Sequence, residues 1–139
     1  MVQVFLDTNV ILDVLLERAP HVQAAAQILA EIEVGRFIGI CSATTFTTVY
    51  YVLHRARNDR VAREGLRMLL EFCRVAPVTR EVIQSALMLS FPDFEDAVQH
   101  EAARLAGAEV IVTRNVKDFA EAQLPVYSPE AFLVHYVQK

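Results

Sequence analysis

The sequence predicts an α/β fold: a three-layer α/β/α sandwich with a central parallel sheet of four or five strands. Three observations lead there. Short apolar runs such as Val2–Leu6 and Phe37–Ile40 alternate with longer segments of helical periodicity. Those helical segments are long enough to serve as crossovers, which parallel neighbours require and which cover both sheet faces. Finally, 54% of the 139 residues are hydrophobic, enough for a real core in a single domain spanning 1–139.

Taken in order, Val2–Leu6 reads as a buried strand. A short helix follows, with Val10, Ile11, Val14 and Leu15 on one side. Pro20 suits the start of a second helix, about His21–Glu33. Phe37–Ile40 is a compact strand, and Ser42 caps a third helix running to about Arg57. That helix is rich in Thr and Tyr, so packing must supply what propensity does not. Residues 59–73 form a fourth helix with Val61, Leu66, Leu69, Leu70 and Cys73 turned inward. Arg74–Val78 is a short strand. Thr79 caps a helix to about Ser90, Pro92 interrupts, and Asp93 opens another helix that Gly107 ends in the C′ position. Its buried side is expected to hold Phe94, Ala97, Val98, Ala102, Leu105 and Ala106. Glu109–Thr113 and Pro125–Tyr127 are the last strands, and Ser128-Pro129-Glu130 opens a C-terminal helix.

Bulk properties exclude several classes. Asp7 and Asp13 interrupt the most apolar N-terminal stretch, which argues against a membrane span and a signal peptide. Cys41 and Cys73 form neither a disulfide framework nor a metal pattern, as expected of a reduced, cytoplasmic protein. The net charge is −4, but residues 54–74 hold six arginines against Asp59, Glu64 and Glu71. Such a basic patch on an acidic body permits phosphate contact, and a solvated helix face is the plainer reading. The histidines are scattered, which favours surface or structural roles. Asp13 is a cap or an ion-pair partner of Arg18.

Acidic groups gather at places where α/β folds do chemistry. Asp7 follows the first strand, at the sheet edge where open α/β sheets bind ligands. Asp93 and Asp96 stand at i and i+3 near a helix start, on a shared face. Thr113-Arg114-Asn115 and Asp118 follow a later strand. Taken singly, each has an ordinary explanation as cap or loop. Together they would repel, by about 3 kcal/mol per pair at ~5 Å and an effective dielectric of ~20. Such a cluster takes up protons or recruits a cation. Oxygen ligands without His or Cys suit Mg²⁺ or Mn²⁺.

The sequence resembles the PIN domain family, the nuclease fold of many bacterial toxin ribonucleases and RNA-processing factors. The matching pieces are Phe5-Leu6-Asp7-Thr8-Asn9, Ser42-Ala43-Thr44-Thr45, Asp93-Phe94-Glu95-Asp96-Ala97, and Val112-Thr113-Arg114-Asn115 through Asp118-Phe119. They occur in the family's order across nearly the whole chain. The resemblance implies that Asp7 and Asp96 are the catalytic metal-binding aspartates, with Asn115, Asp118 and Asp93 as further ligands. It implies supporting roles for Thr8, Asn9 and Thr113. It also implies metal-assisted hydrolysis of RNA with Mg²⁺ or Mn²⁺, and for the toxin branch a cognate antitoxin. Arg55, Arg60, Arg63 and Arg67 would contact RNA or that partner. The apolar faces of the third and C-terminal helices suit a homodimer. In the family's common pattern a glutamate stands six residues after the serine of the third helix; here it is Thr48. The alternative is therefore a catalytically weakened PIN fold serving as a protein- or RNA-binding module. Two other Asp-bearing enzyme folds fit worse. A haloacid dehalogenase-like phosphatase needs a second Asp where Asn9 stands, and a receiver domain needs a Lys that the Thr113 strand end lacks.

Overall fold

The structure is a computed structural model and describes residues 1–138. In chain order the elements are β1 (Val2–Leu6), α1 (Thr8–Leu15), α2 (Val22–Glu33), β2 (Phe37–Ser42), α3 (Ala43–Ala56), α4 (Asp59–Phe72), β3 (Cys73–Ala76), α5 (Arg80–Leu87), α6 (Phe94–Leu105), β4 (Val110–Val112), a 3-10 turn (Val116–Phe119), β5 (Val126–Tyr127) and α7 (Pro129–Tyr136). The five strands form one parallel sheet in the order β3-β2-β1-β4-β5. This is the expected α/β/α sandwich, with five strands.

Strand pleating separates the core into two layers, because successive side chains point to opposite faces. Val4 and Leu6 of β1, Cys41 of β2, and Val110 and Val112 of β4 pack with residues of α1, α2, α3, α4 and α7. Phe5, Ile40 and Ile111 face the other way, onto α5, α6 and Phe119. The strand order matters more for the site. From β1 the chain winds outward through β2 and β3, then returns to lay β4 on the other side of β1. The C-terminal ends of β1 and β4 therefore meet at a topological switch point, where open α/β sheets leave a crevice.

Most caps fall where expected. Ser42 accepts from Thr45 N–H, Thr79 from Val82 N–H and Ser128 from Ala131 N–H. Gly107, at φ 87°, closes α6 in a Schellman arrangement, with Gly107 N–H on Arg104 O and Ala108 N–H on Ala103 O. α2 starts at Val22, just after Pro20.

Several expectations need correction. α5 stops at Leu87 and not near Ser90, because Met88 and Leu89 N–H turn back three residues to Ser85 O and Ala86 O and tighten the last turn. Leu70 is 57% exposed, and Ala62, Gly65 and Leu69 take the inner side of α4. Small residues let α4 lie close on α3, since a Cβ on Gly65 would stand 2.8 Å from Leu53 Cδ1. Phe94 and Leu105 are exposed, and the buried arc of α6 instead includes Gln99, His100 and Glu101. On the two helices suited to a homodimer, Val49, Leu53, Phe132 and Leu133 are used by the core, whereas Tyr51 and Val134 remain exposed. Among the described residues, no helix is long and apolar enough to cross a membrane.

Gly39 marks a close approach of the sheet to its helical layer, with backbone among its neighbours. A Cβ there would lie 3.0 Å from Ile32 Cδ1, 3.0 Å from Phe72 O and 3.1 Å from Cys73 Sγ. Because one of these neighbours is backbone, Gly39→Ala is expected to destabilise the protein by about 1–3 kcal/mol, seen as a lower urea midpoint with an unchanged slope.

Candidate functional site

Asp7 is where the sheet turns into chemistry. Pairing of Leu6 with Val112 brings Asp7 beside Thr113, and Asp7 N–H donates to Val112 O at 3.0 Å. The Asp7 side chain, only 6% exposed, also begins α1. Its Oδ1 accepts from Thr8 N–H at 2.9 Å and Gln99 Nε2 at 3.2 Å; its Oδ2 accepts from the Thr113 hydroxyl at 2.8 Å and Asn9 Nδ2 at 3.4 Å. These bonds hold the carboxylate in one rotamer. The Asn9 contact is the longest of the four.

Gln99 is the functional-site residue that sequence reasoning missed. It is 1% exposed and lies one helical turn after Asp96. Its amide shares two hydrogens among Asp7 Oδ1 at 3.2 Å, Thr8 Oγ1 at 3.3 Å and Thr45 Oγ1 at 3.2 Å. Its Oε1 accepts from the Ser42 hydroxyl and, at 3.5 Å, from Thr44. Thr8 and Thr45 hydroxyls join at 2.9 Å. Gln99 thus ties β1, α3 and α6 together behind Asp7. The available signal was a polar residue within the apolar side of α6, where an unpaired amide would be costly. Thr8 supports Asp7 through its backbone N–H, while its hydroxyl serves Thr45 and Gln99.

Asp96 lies at the mouth of the same cleft. Burial, then the charges of Asp7, Asp93, Asp118 and Glu95, push its carboxyl up to about 7. Asp93 caps α6, accepting from Glu95 N–H at 2.8 Å and Asp96 N–H at 3.3 Å through Oδ1. Asn115 N–H bonds Thr113 Oγ1 at 3.1 Å, and Asn115 O accepts from Asp118 N–H at 3.0 Å, which shapes the unforeseen 3-10 turn carrying Asp118. A buried histidine braces this wall from behind: His100 bonds Glu101 through Nδ1 at 2.8 Å and accepts Gln123 N–H on Nε2 at 3.0 Å. His100 is therefore structural, as its scattered position suggested, and its bonds do not run to Asp96.

The resulting cleft, about 380 Å³, is lined by Asp7, Thr8, Asn9, Asp93, Asp96, Asn115 and Asp118, and also by Glu95, Leu12, Arg18 and Arg114. Every expected ligand reaches it. Among the described residues, however, no three His, Cys, Asp or Glu side chains are grouped to hold a metal on their own. Mg²⁺ does not require three, because it keeps several waters and takes one or two carboxylates. The donor set fits such a cation: it is all oxygen, and five carboxylates line the cleft against two guanidinium groups. Thr48 does not enter the cleft, and its hydroxyl donates to Thr44 O at 3.2 Å within α3. Arg55, Arg60, Arg63 and Arg67 are exposed and lie outside the cleft lining, with Arg63 held by Asp59 at 2.9 Å and set over the Tyr50 ring.

A PIN domain family model matches residues 3–117. The chain belongs to the PIN domain family. Ribonuclease VapC1 of Aquifex aeolicus (strain VF5) is 27% identical over 135 residues, covering 94% of this chain and 92% of that protein. A toxin–antitoxin complex from Klebsiella pneumoniae contains a chain with TM-score 0.69 and 25% identity, over 91% of this PIN chain and 97% of that one. FitAcB from Neisseria gonorrhoeae matches the fold at TM-score 0.70 and 19% identity, over 91% of this chain and 98% of its own.

Two outcomes follow from this PIN site. Gln99→Leu leaves Asp7 Oδ1 and the hydroxyls of Thr8, Ser42, Thr44 and Thr45 each one partner short, and is expected to cost about 1–3 kcal/mol in chemical denaturation. The second concerns pH. With the Asp96 carboxyl raised to about 7, the folded state holds a proton that the unfolded state has released, so stability falls as pH rises from about 4 through 7. In chelator, Asp96→Asn should raise Tm above wild type at pH 8, and the advantage should vanish near pH 4. Millimolar Mg²⁺ should raise the wild-type Tm at pH 8 more than that of Asp96→Asn.

Proposed function

We propose that this protein is a divalent-cation-dependent endoribonuclease that hydrolyses phosphodiester bonds of single-stranded or structured RNA, and that it is the toxin of a toxin–antitoxin pair. The observation that carries this reading is the joint placement of Asp7 and Asp96 in one oxygen-lined cleft whose charge is unbalanced. The ribonuclease name of the Aquifex relative and the toxin–antitoxin context of the Klebsiella neighbour support it.

Asp7 and Asp96 would hold Mg²⁺ or Mn²⁺, with Asn115, Asp118 and Asp93 assisting. The cation supplies Lewis acidity toward the phosphate and the attacking water. The protein's own contribution is orientation. Thr113 and Thr8 N–H keep the Asp7 carboxylate in one rotamer, and Gln99 keeps it from turning toward α3. Asn115 and Asp118, on one tight turn, border the path along which RNA enters. The exposed arginines at 55, 60, 63 and 67 contact RNA or the antitoxin, and the RNA substrate places the action in the cytoplasm.

A second reading has its own observation. Thr48 replaces the acid common at that position and bonds only its own helix, which favours a PIN fold retained as a protein- or RNA-binding module. Purified protein with Mn²⁺ or Mg²⁺ decides between them. The nuclease cleaves single-stranded RNA, and Asp7→Asn lowers the rate by about 10²-fold or more without lowering Tm. A binding module shows no cleavage with either ion, and Asp7→Asn leaves partner binding intact.

A further inference from the structure

The cleft has a charge problem. Asp7, Asp93, Glu95, Asp96 and Asp118 line it, so it stays net negative even with one divalent cation, while a phosphodiester is itself an anion. Two guanidinium groups line the same cleft, those of Arg18 and Arg114. Neither belongs to the arginine patch on α3 and α4.

Both are anchored from below by Asp13. This carboxylate on α1 is 0% exposed, and each oxygen takes one arginine: Oδ1 accepts Arg18 Nε at 2.9 Å, Oδ2 accepts Arg114 Nε at 2.6 Å. A buried carboxylate is tolerable only when paired in this way. The pairing uses the Nε–H of each arginine, and no other side-chain hydrogen bond from either is present among the described residues. The two side chains remain 39% and 29% exposed. Their terminal amino groups are therefore available, on planar forks that match phosphate oxygens. The placement is also tied to the acidic site. Arg114 directly follows Thr113, and its N–H donates to Asn9 Oδ1 at 3.3 Å. Asp13 lies on the helix that Asp7 caps. One carboxylate balances one guanidinium and leaves a net positive charge beside the acidic wall.

We propose that Arg18 and Arg114, held in place by Asp13, form a clamp for a backbone phosphate of the RNA strand next to the one being cleaved. The proposal rests on the ribonuclease reading and adds to it a substrate contact within the cleft itself. Asp13 is a positioning residue within it.

The test is binding of a fluorescein-labelled, fully 2′-O-methylated RNA dodecamer, which resists cleavage, in Mn²⁺ at several salt concentrations. Arg18→Gln and Arg114→Gln each keep a donor near Asp13. Each is expected to raise Kd about tenfold and to reduce the slope of log K against log salt by about 0.7. Arg114→Lys, which keeps the charge, should restore the slope and only part of the affinity. Mn²⁺ affinity by calorimetry should be unchanged in all three, unlike in Asp7→Asn. If a single variant unfolds, Asp13→Asn/Arg114→Gln removes the buried charge together with the guanidinium and is expected to show the same loss. Wild-type binding with unchanged Kd and slope in the arginine variants would assign the pair to internal charge balance or a protein partner, and overturns the clamp alone. Absence of both RNA binding and cleavage in wild type overturns the clamp and the ribonuclease reading together.

Discussion

The hydrogen bond from the Thr113 hydroxyl to Asp7 Oδ2 joins two strand ends that are 106 residues apart in the chain. The rest of the cleft is arranged around it. It exists because β4 pairs directly with β1, in the register that sets Leu6 opposite Val112. A one-residue slip would turn every β4 side chain to the other face and take Thr113 away from Asp7. That register is held by burial on both sides, with Val110 and Val112 in one layer of the core and Ile111 in the other. Hydrophobic packing, which is not directional, thereby selects the partners of a directional polar contact.

Behind that contact the site is built from neutral groups, and in front of it from charged ones. Gln99, Ser42, Thr8, Thr45 and Thr113 are all buried, and their bonds keep polar atoms away from the apolar layers. Asp93, Asp118 and Glu95 stand toward solvent and Asp96 is half-buried behind them, so their mutual repulsion is screened but not abolished. The design separates two tasks. Neutral dipoles orient, at low electrostatic cost, and carboxylates set the negative potential of the cleft. Asp7 alone belongs to both sets.

Much of the fold was legible in the sequence because its signals are local. Ser42, Thr79, Ser128 and Gly107 mark helix ends through their own backbone chemistry, and short apolar runs mark buried strands. The aspartates were legible as a set because each follows a strand or opens a helix. The misplaced features depend on distant contacts. Leu70 looked inward because periodicity cannot see that Gly65 brings α4 onto α3 and so selects the inner side. Gln99 was invisible because its partners come from β1, β2 and α3, and nothing near it in the chain announces them. The one-turn 3-10 segment at Val116–Phe119 is too short to carry a period. Asp13 was read as a cap or a partner of Arg18. Its second partner, Arg114, lies 101 residues away.

The strand order also sets when the site can exist. On a ribosome the chain emerges from its N-terminus, so Asp7 is out 106 residues before Thr113. Until β4 arrives, β1 can pair with β2 but presents its other edge bare. Asp7 then lacks Thr113 and the acidic turn that follows β4. A nascent or prematurely terminated chain therefore holds the first aspartate without a cleft around it. Synthesis itself thus sets the order of assembly, and the cleft closes only when the strand that pairs the second edge of β1 is laid in place.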